Sequence, residues 1–229
     1  MTPYQHLWRN GSPCTLPSGK AVCVGKNYAD HIREMNSKAA RQPVLFFKPR
    51  SALCSTQDTL EISHLSHLGE LHHELEIALL IGTTLNRHSS ELLNGVVGIG
   101  LGIDLTLRDV QAELKQEGLP WERAKAFDNS CLLSPFLQVE DGWQPDNLEL
   151  TLWVNEVQKQ HSNSQLMLTP IADLLDEIVQ VVTLEPGDVV LTGTPAGVGP
   201  LRAGDKLRGA LNQDIFCLLY TSPSPRDRQ

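Results

Sequence analysis

Leu71-His72-His73-Glu74-Leu75-Glu76-Ile77-Ala78-Leu79-Leu80-Ile81-Gly82 decides how the rest of the chain reads. Its leucine and β-branched content, its length and its closing glycine predict a strand. A period of two puts Glu74, Glu76, Ala78 and Leu80 on one face and Leu75, Ile77, Leu79 and Ile81 on the other. Such a strand is buried on both faces and carries two neighbouring carboxylates at its start. Like charges there repel each other and lose hydration, so something must compensate them. A divalent cation is the simplest candidate.

A second apolar run, Val96 to Leu105, has glycines at positions 98, 100 and 102. In a strand that spacing bares one face, so another backbone or strand can approach closely. Asp104 falls at its end. Taken alone, Glu-x-Glu is a weak signal, because exposed strand faces often carry alternating glutamates. Strongly apolar flanks and a third carboxylate at Asp104 strengthen it. Three carboxylates with open positions for water and substrate suit Mg²⁺ or Mn²⁺ better than zinc. The histidines His64, His67, His72 and His73 invite a zinc reading, but their spacings fit neither a Cys/His finger nor H-E-x-x-H. They read mostly as ordinary polar contacts.

Outward from these two strands, residues 1–20 form a turn-rich lead-in, and Ala21 to Gly25 a short strand. Lys26 to Met35 has a helix-friendly composition, on which His31 and Glu34 share a face. Pro43 to Pro49 predicts a strand with proline at each end. Thr106 is placed to cap a helix from Leu107 to Glu117, with Gly118-Leu119-Pro120 as its stop signal. Trp121 to Ser130 reads as a polar loop holding Lys125. Leu148 to Val154 alternates as a strand, and a turn near Asn155-Glu156 returns it as a hairpin. Helical spacing follows Pro170 through Val182. Glu185 to Asp188 suits a type II turn, Val189 to Thr192 another buried strand. The loop from Gly193 to Pro200 has glycines fit for close ligand approach but lacks the Gly-Lys-Ser/Thr ending of a P-loop. Gly204 to Leu207 opens a last strand region, and the polar, proline-bearing run from Leu218 to Gln229 reads as a disordered or foreign tail.

The chain has 229 residues, 41% of them hydrophobic and 20% charged, which is ordinary for a globular protein with one good core. A net charge of -8 argues against nucleic acid or an anionic membrane as partner. No apolar run is long enough to span a bilayer, and Met1 to Asn10 lacks the features of a signal peptide. The five cysteines are scattered and form no C-x-x-C pair, as expected of reduced thiols in a cytoplasm.

Chemistry beyond the acidic cluster rests on His31, which Glu34 could orient as a base toward water, and on Lys125, which could neutralise a carboxylate or a developing oxyanion. Each of these also has a bland reading: a routine contact on an exposed helix, or a solvated loop lysine. Together they carry more. Val22 to His31, Pro43 to Pro49, His72 to Glu76, Asp104 to Gln111, Pro120 to Cys131 and Thr183 to Pro200 run in one order from about Val22 to Leu211. In that order they resemble the fumarylacetoacetate hydrolase family, specifically its short acylpyruvate-hydrolase-like and oxaloacetate-tautomerase-like branch.

The resemblance implies an α+β, mainly β fold: one catalytic domain over residues 21–217, a mixed β-roll or sandwich with a few flanking helices, usually homodimeric. It implies that Glu74, Glu76 and Asp104 ligate Mg²⁺ or Mn²⁺ and that His31 and Glu34 sit on a lid over the substrate. Lys125 would act as a catalytic group, with Arg108, Gln111 and Thr194 contacting a small 2-oxo or 2,4-dioxo acid. The expected reaction is hydrolysis of a C–C bond in an acylpyruvate, giving pyruvate and a carboxylic acid. Keto-enol tautomerisation or decarboxylation of oxaloacetate on the same enolate-stabilising site is the alternative, and an inactive keto-acid-binding relative a further one. The pattern breaks at about Cys217, where a last native strand is expected to be missing or replaced.

Overall fold

The computed structural model describes residues 4–222 apart from 39, 63, 64, 66, 141, 142 and 213, so His64 and the end of the tail lie outside the described residues. In chain order the first elements are β1 (Ala21–Gly25), α1 (Ala29–Glu34), β2 (Val44–Lys48), β3 (Leu53–Ser55), β4 (Leu71–His73) and β5 (Leu75–Ile81). Next come β6 (Val96–Asp104), β7 (Thr106–Leu107), α2 (Arg108–Glu117), α3 (Glu122–Lys125), β8 (Cys131–Leu133) and β9 (Leu137–Gln138). The chain continues with β10 (Glu149–Val154), β11 (Val157–Asn163), α4 (Ile171–Val181) and β12 (Val189–Leu191). It closes with β13 (Gly199–Pro200), β14 (Lys206–Leu211) and β15 (Asp214–Tyr220).

The largest sheet runs β2-β1-β12-β5-β6-β8-β3, with β9 beside β6. Its centre is the antiparallel pair β5 and β6, in which Glu76 faces Gly102 and Ala78 faces Gly100. The two faces of β5 sort as the alternation predicts. Leu75, Ile77, Leu79 and Ile81 join one apolar cluster with Leu150, Leu152, Leu174 and Ile178. Ala78 and Leu80 join a second with Cys23, Phe46, Phe136 and Leu191. Fully burying a leucine or isoleucine contributes about 1.5–3 kcal/mol, so these two clusters fix which way the strand faces. The glycines of β6 admit close neighbours on its bare face. A Cβ on Gly102 would stand 2.4 Å from Leu191 Cδ2, and one on Gly100 2.8 Å from Ser134 Oγ.

A second sheet, β11-β10-β14-β15, supplies Leu150, Leu152 and Leu207 to the first cluster, and the small sheet β13-β4-β7 lies at the end of β5 where the carboxylates are. Lys48 on β2 reaches Asp104 on β6 although three strands separate them in the sheet order. The sheet therefore curls, and side chains from distant strands meet inside it. This is the expected mainly β, α+β architecture.

Four local expectations change. The run Leu71–Gly82 is two strands, not one: pairing stops at Glu74, and β4 and β5 belong to different sheets. Thr106 lies in β7 and caps nothing: the N-cap position of α2 is Leu107, whose side chain has no acceptor, and the Thr106 hydroxyl is engaged by Lys125 and Asp104 instead. Residues 122–125 form a short helix rather than a loop, and it carries Lys125 into the interior at 2% exposure. Finally, β15 pairs with β14 from Asp214 through Tyr220, and Thr221 bridges to Leu60, so strand pairing does not end at Cys217. The lead-in also packs firmly: His6 is fully buried, with its Nε2 2.9 Å from the Gly187 carbonyl. Among the described residues no helix is long and apolar enough to cross a membrane.

Candidate active site and metal centre

The break in pairing at Glu74 is what builds the site. Glu74 carries its carboxylate at the junction of β4 and β5, Glu76 lies two residues on, and Asp104 ends the neighbouring strand. Candidate ligand oxygens of the three lie within 4.8 Å of one another, and all three residues are buried. The Asp104 amide donates to the Glu74 carbonyl at 2.9 Å, which fixes the two strand ends against each other.

Three cations surround this cluster. Lys125 Nζ donates to Glu74 Oε2 at 2.9 Å, to Asp104 Oδ2 at 2.6 Å and to Thr106 Oγ1 at 2.6 Å. Arg108 pairs with Glu74 Oε1 and donates to Gln111 Oε1 at 2.8 Å. Lys48, fully buried, lies 2.8 Å from Asp104 Oδ1 and donates to the Leu105 and Lys125 carbonyls and to Ser130 Oγ. These contacts give Lys48 more acceptors than its three protons can serve.

The carboxylates respond unequally. Burial pushes the Glu74 carboxyl up, but the Lys125 and Arg108 charges outweigh it and hold the group well below the usual carboxylate range. Glu76 goes the other way. Burial, then the Asp104 and Glu74 charges, push it well above its ordinary value, with only Lys125 and the Gly193 amide opposing. Gly193 donates to Glu76 Oε2 at 2.6 Å from a left-handed backbone (φ 101°), and a Cβ there would meet Asn27 Cβ at 2.8 Å. Glycine is what this turn requires.

A divalent cation fits this donor set. Glu76 has no cationic hydrogen-bond partner among the described residues, and Asp104 Oδ1 meets Lys48 at an angle that makes an ion pair but no hydrogen bond. Two buried carboxylates thus have unspent acceptor capacity, aimed into one cluster of hard oxygen donors.

Around the cluster, a cavity is lined by His31, Glu74, Arg108, Gln111, Lys125 and Thr194, six of the residues expected from sequence, whereas Glu34, Glu76 and Asp104 are not in its lining. His31 Nδ1 is 3.1 Å from Glu34 Oε2, and Glu34 Oε1 accepts from the Gly197 amide at 2.9 Å. The second bond ties α1 to the glycine loop. Asn27, just before α1, anchors the same region: its side chain donates to the Thr169 and Thr192 carbonyls and accepts from the Thr169 amide. Thr194 is buried and donates to the Leu75 carbonyl at 2.9 Å, so its hydroxyl serves the scaffold while its surface lines the cavity.

Sequence reasoning passed over Lys48, Gln160 and Lys115. Gln160 on β11 accepts from the Leu75 amide, bonds His73 Nδ1 at 3.0 Å and donates to Thr194 Oγ1 and the Pro195 carbonyl. It holds the glycine loop against the start of β5, and it accounts for His73 as a structural group. His72 Nε2 lies 3.2 Å from Glu70 Oε2 without forming a hydrogen bond. Neither histidine joins the acidic cluster, in keeping with the polar-contact reading. The bracketing prolines of the Lys48 stretch were the one signal available for that residue.

The profile described as "Fumarylacetoacetate (FAA) hydrolase C-terminal" matches residues 20–216. "Oxaloacetate tautomerase YcgM" of Escherichia coli (strain K12) is 48% identical over 206 residues, which cover 89% of this chain and 93% of the relative. "Oxaloacetate tautomerase FAHD1, mitochondrial" of Homo sapiens is 38% identical, covering 92% and 91%. Among solved structures, fumarylpyruvate hydrolase from Pseudomonas aeruginosa in complex with Mn²⁺ and pyruvate superposes with a TM-score of 0.87 at 31% identity, covering 97% of each chain. With the curled sheet, the acidic cluster and matches of this length in agreement, the chain belongs to the fumarylacetoacetate hydrolase family of enzymes.

Proposed function

We propose that this enzyme interconverts the keto and enol forms of oxaloacetate. The observation that carries the reading is a cavity that reaches the floor of the site, the buried three-carboxylate cluster, at Glu74 and has cationic walls, with Arg108, Lys125, Lys115 and Lys26 all lining it. That arrangement suits a small, doubly negative 2-oxo acid. The two relatives named oxaloacetate tautomerases, at 48% and 38% identity, support it.

Glu74, Glu76 and Asp104 would hold Mg²⁺ or Mn²⁺, whose charge, when bound, polarises a 2-oxo group and stabilises an enolate oxygen. The remaining work falls to the chain. Arg108, held by Gln111, is placed to take the substrate carboxylate, and a guanidinium can do so through two parallel hydrogen bonds. Lys125 Nζ can turn one of its three protons from Thr106 or a carboxylate to a developing oxyanion. His31 has Nδ1 committed to Glu34, which leaves Nε2 as the nitrogen that carries a proton to or from the substrate carbon. Tautomerisation needs one such proton transfer at C3 and one at the enol oxygen, with no water consumed.

A specific observation favours a second reading, C–C hydrolysis of an acylpyruvate. The His31–Glu34 pair has the geometry to activate water, and the Pseudomonas neighbour is named a fumarylpyruvate hydrolase. Both reactions share the enolate and differ in whether water attacks. The homodimer and the cytoplasmic location suggested by the resemblance and the unpaired thiols belong to the same proposal; sedimentation and cell fractionation test them.

The discriminating experiment follows the decay of enol-oxaloacetate and, in parallel, pyruvate release from acetylpyruvate, with Mg²⁺ present. The expected result is tautomerisation far above the uncatalysed rate, lost on chelation and in Glu76→Ala, with slower pyruvate release. Pyruvate release that outruns tautomerisation would replace this reading with the hydrolase.

A further inference from the structure

Helix α2 points three side chains at the cavity. Arg108, Gln111 and Lys115 are spaced by three and four residues, so they share one helical face, and all three line the pocket. The first two turn inward: Arg108 meets Glu74, and Gln111 accepts from Arg108. Lys115 stands farther out. Its Nζ lies 4.9 Å from the centroid of the Trp121 ring, another wall residue, so a cation–aromatic contact holds the ammonium at the rim.

Charge balance shows what Lys115 lacks. On the floor, the carboxylates of Glu74, Glu76 and Asp104 are matched in number by the cations Lys48, Lys125 and Arg108. Lys115 is in none of the ion pairs among the described residues. Lys26, which also lines the cavity, donates to the Lys38 carbonyl, a neutral partner. The Lys115 side chain is exposed at this rim, yet desolvation of its ammonium against the wall, then the Arg108 charge, lower it to about 8. The outer half of the cavity therefore has positive charge to spare, and a divalent cation on the floor would add to it.

We propose that Lys115 is a specificity-determining residue that binds the distal carboxylate of a dicarboxylic 2-oxo acid and so selects dianions over monoanions of the same length. The inference rests on the 2-oxo-acid reading of the site and goes beyond it by assigning the second charge. Oxaloacetate and 2-oxobutanoate make the matched pair, because they share four carbons and the 2-oxo carboxylate and differ in the terminal group.

The test measures binding of both acids to the Mg²⁺-loaded enzyme by calorimetry, for wild type, Lys115→Met and Lys115→Arg. Methionine keeps an unbranched apolar stem over Trp121 and removes the charge. The expected result is that wild type prefers oxaloacetate, that Lys115→Met loses about five- to tenfold of that preference with 2-oxobutanoate binding unchanged, and that Lys115→Arg retains it. In turnover, Lys115→Met should raise KM with little change in kcat, as for a group that holds ground state and transition state alike. A wild type with no preference, or a Lys115→Met variant that weakens both acids equally or neither, overturns the proposal. Failure of the tautomerase reading looks different: oxaloacetate is bound selectively and Lys115-dependently, yet its enol is not consumed.

Discussion

Asp104 on the floor of the site and Glu34 at its rim are both carboxylates beside a nitrogen base, yet they are held in different ways. Asp104 is fully buried between Lys48 and Lys125, and Lys48 has no access to water either. The Glu34 side chain is 32% exposed, and its partners are one imidazole and one backbone amide. Removing one member of a buried pair leaves the other charged in a medium that cannot solvate it. Removing one member at the rim lets water take its place. The floor is thus part of the fold, whereas the rim is fastened to it.

The largest effect expected from this contrast is at Lys48. Lys48→Met should cost about 3–5 kcal/mol of stability in the metal-free protein, read as a fall in the urea midpoint, because Asp104 loses a buried counter-charge. Added Mg²⁺ should restore part of it by supplying positive charge to the same carboxylate. A midpoint that does not move would break the comparison. At the rim, His31→Ala should cut turnover by about a hundredfold or more while shifting stability by no more than about 1 kcal/mol. If the midpoint falls as far as in Lys48→Met, the rim is structural after all.

What the sequence made legible follows the same division. Alternation in Leu75 to Ile81, the glycines of β6 and the helical spacing after Pro170 are local patterns, and each corresponds to an element that forms. Glu74, Glu76 and Asp104 were visible because carboxylates interrupt apolar runs. Lys48 was not, since its role depends on the curl of a sheet that brings β2 across to the end of β6, and no one-dimensional period encodes that contact. Thr106 was misread for a related reason: a threonine before a helix has a cap's local signature, and a distant lysine claims its hydroxyl. Gln160, 85 residues from the amide it satisfies, left no local trace.

A smaller effect sharpens the contrast within the floor itself. Because burial and the neighbouring carboxylates raise the Glu76 carboxyl, its ionisation opposes folding when no metal is bound. The contribution is fully favourable below the ordinary value of 4.5, where the carboxyl is neutral in both states, and is lost as pH rises from there through the raised folded value. Glu76→Gln retains an acceptor for the Gly193 amide and removes the charge. It should therefore stabilise the metal-free protein at neutral pH, by on the order of 1 kcal/mol, while abolishing the stabilisation that Mg²⁺ gives wild type. Thermal unfolding with and without Mg²⁺ measures both, and a destabilised metal-free Glu76→Gln would mean that Glu76 is paired rather than frustrated.

The smallest effect lies away from the site and serves as the reference for the others. His6 is fully buried, and because the Gly187 carbonyl can only accept, Nε2 carries the proton while Nδ1 takes the Tyr4 hydroxyl at 3.1 Å. Burial lowers its basicity despite the helpful carbonyls of Gly187 and Pro17. His73 is lowered for the same first reason, against its bond to Gln160. A depressed imidazole favours the folded state above 6.5, its ordinary value, and that contribution is lost as pH falls, because the unfolded chain takes up protons first. Glu76 pulls the other way over the adjoining range, so the imidazoles are best read in the Glu76→Gln background. There, stability should fall as pH drops below 6.5, and His6→Gln, which cannot titrate, should make the slope shallower without flattening it, since His73 remains. An unchanged slope would place the whole acid response at the site and deny the lead-in any share in it.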